Sequence, residues 1–163
     1  EMVYFDDLLA MVDAFRLGEV DILSHIKPYT TQFVAAGEAN VITDNAEVWS
    51  PTTPNTVVSV LEKTLNERPE VVEAYIQGLQ CAAEIINTDP ERAIELLAGG
   101  NYYRVENDVL LTAFTTQPAP ITFTPDLDAV QTVVDKMVQL EYIQADVPTK
   151  DIFDVSIVKE LEK

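Results

Sequence analysis

The chain has 163 residues, of which 47% are hydrophobic, and it carries a formal net charge of −18. This composition is ample for a packed core and excludes a disordered chain. The charge argues against nucleic acid as a partner, because phosphate binding needs clustered lysine and arginine, and the basic residues here are scattered.

The first predicted helix follows two acidic residues near the N-terminus. Asp6 and Asp7 can cap it, and the apolar residues after them recur at helical spacing. Gly18 is expected to end this helix. The next run, residues 20–24, is short and apolar, which predicts a buried strand.

The second helix is predicted between Pro28, which suits a first helical turn, and Gly37. Residues 39–43 indicate another short strand. The threonine- and proline-containing stretch 44–56 is typical of a loop or an interdomain crossing. Residues 56–61 are apolar and largely β-branched, which favours a third buried strand.

The chain becomes strongly helical from Pro69 onward. Apolar residues recur there at three- and four-residue spacing, and Asp89 precedes a proline that suits a first helical position. Residues 117–125 contain three prolines and cannot be helical throughout. We predict four helices, running from Pro69 to Ile86, from Pro90 to Ala98, from Val105 to Phe114 and from Leu127 to Leu140.

This order of elements predicts an α/β fold in which the strands come early and the helices late. The three strands would form only a thin sheet, and strands need neighbours with which to pair. We therefore expect an N-terminal portion of the sheet to be missing from this chain.

The chain contains one cysteine, Cys81, and one histidine, His25. A single cysteine allows no intramolecular disulfide, and its helical surroundings predict a buried structural thiol. A single histidine excludes a multi-histidine metal site, and the chain lacks a glycine-rich phosphate loop. Carboxylate pairs such as Asp6 and Asp7 stand at helix starts, where capping explains them. We expect no catalytic residue, no metal and no cofactor.

The most informative stretch runs from Asp13 to Tyr29. Ser24, His25 and Lys27 follow a predicted strand and precede a predicted helix. Open α/β sheets bind ligands at the carboxyl ends of their strands. Helix N-termini at that edge also offer free N–H groups to anions. This stretch therefore predicts a binding site rather than a catalytic one.

The same stretch resembles the "helix, Gly-x-Val-Asp-Ala, strand, x-x-Pro-Tyr" segment of periplasmic-type solute-binding proteins of ABC importers. The members in question bind sulfonates, taurine, nitrate or thiamine-precursor pyrimidines. The resemblance continues in order over nearly the whole chain. It includes Ala36–Gly37, Val41–Asp44, Thr56 to Val72, the loop from Gln117 to Pro125 with the helix after it, and Val147 to Asp154.

The resemblance implies the helix-rich C-terminal half of a two-lobed, type II periplasmic binding protein fold, which is of the α/β class. Residues 1–45 would belong to the second lobe and residues 46–56 to a hinge crossing. Residues 57–163 would return to the first lobe and be mostly helical. The N-terminal lobe would then be absent from this chain.

The resemblance also assigns candidate ligand-binding residues by their positions. Trp49, in the crossing, could stack on a flat solute. The other candidates are Ser24, His25, Lys27, Tyr29, Asn55 and Thr56. Six of the seven have a structural alternative: a hydrogen-bonded linker for His25, a surface charge for Lys27, core for Tyr29, packing for Trp49 and turn residues for Asn55 and Thr56.

The expected function is capture of a small organic molecule or anion in an interlobe cleft, with delivery to an ABC permease in the full-length protein. The expected location is periplasmic or extracytoplasmic, with or without a lipid anchor. One alternative is an enzyme like those that make the thiamine pyrimidine, which use an iron site and a cysteine-rich segment. Another is an interaction module that forms a homodimer. The charge of the solute stays open, because the acidic chain favours cations while the resembled family includes anion binders.

Overall fold

A computed structural model describes residues 1–100, 102–144 and 147–161. The described residues are helical wherever they are regular, and no strand is present among them. The helices are α1 Leu8–Arg16, α2 Tyr29–Ala35, α3 Asn45–Val48, α4 Glu62–Glu67, α5 Pro69–Thr88, α6 Pro90–Ala98, α7 Asn107–Thr115, α8 Leu127–Gln139 and α9 Ser156–Leu161, with a 3-10 turn at Thr149–Asp151.

The chain divides into two compact units, and each contains residues that are distant in sequence. The first unit comprises Glu1–Val41 and Ile94–Thr116. The second unit comprises Ile42–Ala93 and the chain from Gln117 onward.

The boundaries of α1 and α2 follow from local chemistry. The Asp7 Oδ1 atom accepts a hydrogen bond of 2.8 Å from the Ala10 N–H, which confirms the predicted N-cap of α1. Gly18 and Gly37 have φ angles of 73° and 71°. Glycine enters this left-handed region without steric cost, so both predicted helix ends are confirmed.

The Asp7 cap gives a first testable prediction. Asp7→Ala leaves the Ala10 N–H without its side-chain acceptor. We expect the free energy of unfolding to fall by about 1 kcal/mol, measured by urea denaturation. Asp6→Ala removes the adjacent carboxylate and serves as the control. Equal losses in the two variants would show that charge, rather than capping, is responsible.

The core of the first unit is centred on Phe33 of α2, which is 2% exposed. The Phe33 and Phe15 rings are edge to face at a centroid distance of 4.9 Å, and the Arg16 guanidinium lies 5.4 Å from the Phe33 centroid. Helix α2 also packs against α7, whose Leu110 and Ala113 are buried. The short helices of this unit are therefore held by one aromatic cluster and small aliphatic residues.

The second unit has a core of small side chains, with Ala83 of α5 and Ala129 of α8 both buried. Helix α5 packs against α4 and α9, and α8 packs against the 3-10 turn. The buried Thr149 joins that turn to α8, because its N–H donates to the Gln131 side chain at 2.8 Å and its hydroxyl donates to the Leu127 carbonyl at 3.3 Å.

The predicted C-terminal helices are confirmed as α5, α6, α7 and α8, with ends that differ from the predicted ones by at most two residues. Asp89 caps α6 as expected, since its Oδ1 accepts from the Arg92 N–H at 3.1 Å. The sequence analysis did not predict the short helices α3, α4 and α9. Helices of four to six residues bury too little apolar surface to leave a periodic pattern.

The predicted strands at 20–24, 39–43 and 56–61 are wrong for this chain taken alone, and so is the sheet expected within it. Each segment is irregular in the structure. Their apolar residues are left uncovered: Ile42 is 75% exposed and Leu61 is 74% exposed. A strand needs a neighbour to bind its backbone N–H and C=O groups, and no described segment takes that place.

The prediction of a buried thiol is also wrong, since Cys81 is exposed. Apolar residues cover more than half of the circumference of α5, which is wider than the face the helix buries. Val72 and Ala83 lie on the packed side, whereas Val71 and Tyr75 are exposed with Cys81. None of the helices in the described ranges has both the length and the apolar character that a membrane span requires.

Candidate functional site

His25 uses both of its ring nitrogens on backbone groups of the first unit. The Ile26 N–H donates to Nδ1 at 2.8 Å, and the Ile26 carbonyl oxygen lies 3.3 Å from the same nitrogen. Nε2 lies 3.0 Å from the Leu8 carbonyl oxygen, which is hydrogen-bonding distance. As it stands, a solute could bind the His25 ring nitrogens only by displacing one of these backbone groups.

Lys27 is held at the end of α7. Its ammonium donates to the Thr116 carbonyl at 2.6 Å and to the Thr116 hydroxyl at 3.2 Å. Thr116 is the C-cap of α7, where a cation is favoured by the helix dipole. The structure thus gives Lys27 a role in joining the start of α2 to the end of α7.

Tyr29 lies beside His25, with the two rings edge to face at a centroid distance of 5.1 Å. Tyr29 is half-buried, and Ser24 is exposed. The four candidates of the first unit therefore occupy one short segment, in which His25 and Tyr29 are in contact and Lys27 is directed to α7.

The remaining candidates belong to the segment of residues 45–55, here called the 45–55 loop, and to the residue after it. Trp49 ends α3 and is half-buried, and Thr56 is exposed. The Asn45 side-chain amide donates to the Asn55 side-chain oxygen, which closes the loop on itself. The side-chain oxygen of Asn55 therefore already accepts a hydrogen bond that closes the loop.

The 45–55 loop is joined to the start of α8 through Asp126. The Thr52 hydroxyl donates to Asp126 Oδ2 at 2.6 Å, a bond between residues 74 positions apart. The other carboxylate oxygen, Oδ1, accepts from the Ala129 N–H at 3.0 Å and caps α8. One carboxylate therefore serves two elements of the second unit.

A family model for the NMT1-like family matches residues 9–98, which is more than half of the chain. The chain belongs to the NMT1-like family. This family is related to the substrate-binding proteins of ABC transporters, and its members are typically substrate-binding proteins rather than enzymes. Searches of curated proteins and of solved structures give no match.

The match to the NMT1-like family contains all seven candidate residues, since they run from Ser24 to Thr56. Asp126 lies beyond the matched residues. The family match therefore supports the general class of the protein, while the assignment of individual binding residues stays a prediction.

Among the described residues, two of the depressions lie on the second unit of this NMT1-like chain, and neither of the two includes a candidate residue. The first, of about 300 Å³, is lined by Thr124, Pro125, Asp126, Leu127, Asp128, Val155, Val158 and Lys159. The second, of about 380 Å³, is lined by Pro69, Glu73, Ile157, Glu160 and Leu161. Asp128 and Lys159 of the first are exposed, so it lacks the enclosed walls of a pre-formed ligand site.

Hydrogen bonds to two carboxylates of the second unit favour their ionised forms. The pKa of Asp126 is lowered, chiefly by the Thr52 hydroxyl and then by the Ala129 N–H. The pKa of Asp154 is lowered by the hydroxyl and the backbone N–H of Ser156 at the start of α9. A carboxylate with a lowered pKa stabilises the folded state above its ordinary pKa, and this contribution is lost as the pH falls through the folded value.

The Asp126 carboxylate therefore predicts an acid-sensitive difference in melting temperature. Wild-type protein should melt above Asp126→Asn at neutral pH, and the gap should narrow as the pH falls below about 4. Other carboxylates, including Asp128 beside it, titrate in both proteins, so the gap isolates Asp126. Thermal melts from about pH 6 to about pH 2.5 measure it. A gap independent of pH would contradict the role given to the charge.

The sequence analysis missed Thr52 and Asp126. The position of Asp126, after a proline and before an amphipathic helix, could have predicted the N-cap of α8. Nothing in the sequence indicates that its second oxygen reaches Thr52, because this bond depends on the tertiary fold of the NMT1-like chain.

Proposed function

We propose that this chain is the C-terminal half of a periplasmic solute-binding protein that captures a small organic molecule or anion for an ABC permease. The observation that carries the proposal is the family match over residues 9–98. Binding is reversible and leaves the solute unchanged. Sulfonates, taurine, nitrate and thiamine-precursor pyrimidines are the first solutes to test, because the resemblance of residues 13–29 is to receptors for them.

The exposed apolar segments support the idea of a half-receptor. Residues 20–24, 39–43 and 56–61 favour strands by composition, yet they are unpaired and include exposed β-branched side chains. Burial of such residues in a sheet would be favourable by about 25 cal/mol per Å² of apolar area. A sheet completed by another segment of the full-length protein accounts for both the composition and the exposure.

The division into lobes follows the same proposal. Residues 1–45 belong to the second lobe, 46–56 form the hinge crossing and 57–163 return to the first lobe. In this arrangement, ligand favours a closed state by hinge bending. Ser24, His25, Lys27, Tyr29, Trp49, Asn55 and Thr56 are the proposed contacts, with Trp49 stacking on a flat solute.

Calorimetry with the full-length protein tests these contacts once a solute has been found by thermal shift. We expect His25→Ala and Trp49→Ala each to weaken binding by about tenfold or more, the loss of about 1.4 kcal/mol. Tyr142→Ala removes an aromatic side chain that is 77% exposed and serves as the control. Unchanged affinity in both site variants would remove them from the site.

A second candidate function is an interaction module, which the exposed apolar residues also favour. Two copies could cover these segments by exchanging elements. Sedimentation of the chain and of the full-length protein at micromolar concentration, together with solute binding by the full-length protein, distinguishes the two proposals. A dimer that persists in the full-length protein and blocks solute binding would favour the module, and a monomeric full-length protein that binds solute would exclude it.

A further inference from the structure

The 45–55 loop carries two of the proposed solute contacts, Trp49 and Asn55, and among the described residues one side-chain hydrogen bond joins it to another helix. Its interior is held by local contacts: the Glu47 N–H donates to Asp44 at 3.0 Å, and the Thr53 N–H donates to the Ser50 carbonyl at 3.1 Å. These local bonds shape the loop but do not place it against another element.

A line of hydroxyl groups joins the loop to α8. Because the Thr52 hydroxyl gives its hydrogen to Asp126 Oδ2, the Ser50 hydroxyl is the donor in the 2.9 Å contact between Ser50 and Thr52. The short 2.6 Å bond to a carboxylate is charge-assisted, which makes it stronger than a bond between neutral groups.

The loop also contains an unfavourable group that other bonds must offset. The Thr53 hydroxyl is buried and has no hydrogen-bond partner among the described residues. Burial of an unpaired hydroxyl costs free energy, so the loop would leave this conformation more readily if its outside bonds were removed. The Thr52–Asp126 bond acts directly against that tendency.

We infer that Asp126 is a positioning residue for the solute site: through Thr52 it fixes the 45–55 loop on α8 and so sets where Trp49 and Asn55 stand. The effect of Asp126 on solute affinity rests on the proposed function, whereas its effect on the position of the loop does not. Asp126 itself contacts no solute in this account.

Trp49 provides a selective probe, since it is the single tryptophan of the chain. Acrylamide quenching of its fluorescence in the absence of solute reports how open the loop is. We expect Thr52→Val to raise the quenching constant about twofold through local opening of the loop. Thr52→Ser should restore the wild-type value because it returns the hydroxyl.

A second variant tests the carboxylate without removing the helix cap. Serine caps helices about as well as aspartate, but its side chain is too short to cap α8 and reach Thr52 at once. The quenching constant of Asp126→Ser should therefore equal that of Thr52→Val. The double variant should add little to either single change, because both remove one bond. Thr132→Val is the matched control, since the Thr132 hydroxyl donates only within α8, to the Asp128 carbonyl.

Solute binding then tests the positioning role in the full-length protein. Thr52→Val should weaken binding by up to about tenfold, because the loop must be ordered at the moment of binding. Quenching that stays at the wild-type value in Thr52→Val, or rises equally in Thr132→Val, would overturn the inference. A higher quenching constant in Thr52→Val without any loss of solute affinity would also overturn the inference. Absence of binding by the wild-type protein is a different result, which would overturn the proposed function itself.

Discussion

Phe33→Ala is expected to lower the free energy of unfolding by about 3–5 kcal/mol. Phe33 is 2% exposed and joins α1 to α2 through its edge-to-face contact with Phe15. Truncation leaves a cavity in a core made of few large side chains. Since small domains are stable by only about 5–15 kcal/mol, this single change should remove much of the stability of the first unit.

Urea denaturation followed by circular dichroism measures the effect of Phe33→Ala. Val34→Ala is the control, because Val34 is the next residue of α2 and is 43% exposed. Its free energy of unfolding should stay within about 0.5 kcal/mol of wild type. Equal, small changes in the two variants would show that the aromatic cluster is not the core of this unit.

Asn87→Ala is expected to cost about 1–3 kcal/mol, because it removes two hydrogen bonds at once. The Asn87 amide donates to the Ile121 carbonyl at 2.7 Å, and the Ile121 N–H donates to the Asn87 side-chain oxygen at 2.9 Å. This pair of bonds fastens the proline-rich stretch 117–125 to the end of α5. Without this pair, the N–H and C=O groups of Ile121 lose their protein partners and must bind water instead.

Thermal unfolding of Asn87→Ala beside Asn66→Ala tests this role, since Asn66 is an exposed asparagine of α4. We expect the free energy of unfolding of Asn66→Ala to stay within about 0.5 kcal/mol of the wild-type value. Faster cleavage of the 117–125 stretch by a protease in Asn87→Ala would identify the released segment. Protease resistance of Asn87→Ala equal to that of wild type would contradict the role assigned to Asn87.

The longer helices could be predicted from the sequence because their causes are local. Asp7 and Asp89 cap the helices that follow them, and Gly18 and Gly37 end helices in a left-handed conformation. Each of these signals depends on residues within one turn of the boundary. The structure therefore reproduces them without help from distant parts of the chain.

The strands could not be predicted reliably because their cause is not local. Val57 and Val58 favour extended backbone, but a strand also needs a partner, and the pattern of one segment does not say where that partner lies. The same residues are 58% and 54% exposed in the structure. The composition of residues 56–61 indicates a preference for β-structure, but no described segment of this chain pairs with them.

The site could be predicted only as far as one segment reaches. The grouping of His25 with Tyr29 follows from their closeness in sequence and from the helix that begins at Tyr29. The engagement of Lys27 with Thr116 and that of Thr52 with Asp126 join residues 89 and 74 positions apart. Such contacts are set by the tertiary fold, and a single sequence carries no sign of them.

A thermal-shift screen of the full-length protein against sulfonates, nitrate, pyrimidines and amines tests the solute-binding function most directly. A receptor is stabilised by about 2.7 kcal/mol when its solute is present at one hundred times Kd. We predict that one chemical class raises the melting temperature by several degrees and is recovered unchanged. A melting temperature that no class raises, or chemical conversion of the stabilising compound, would contradict a binding protein of the NMT1-like family.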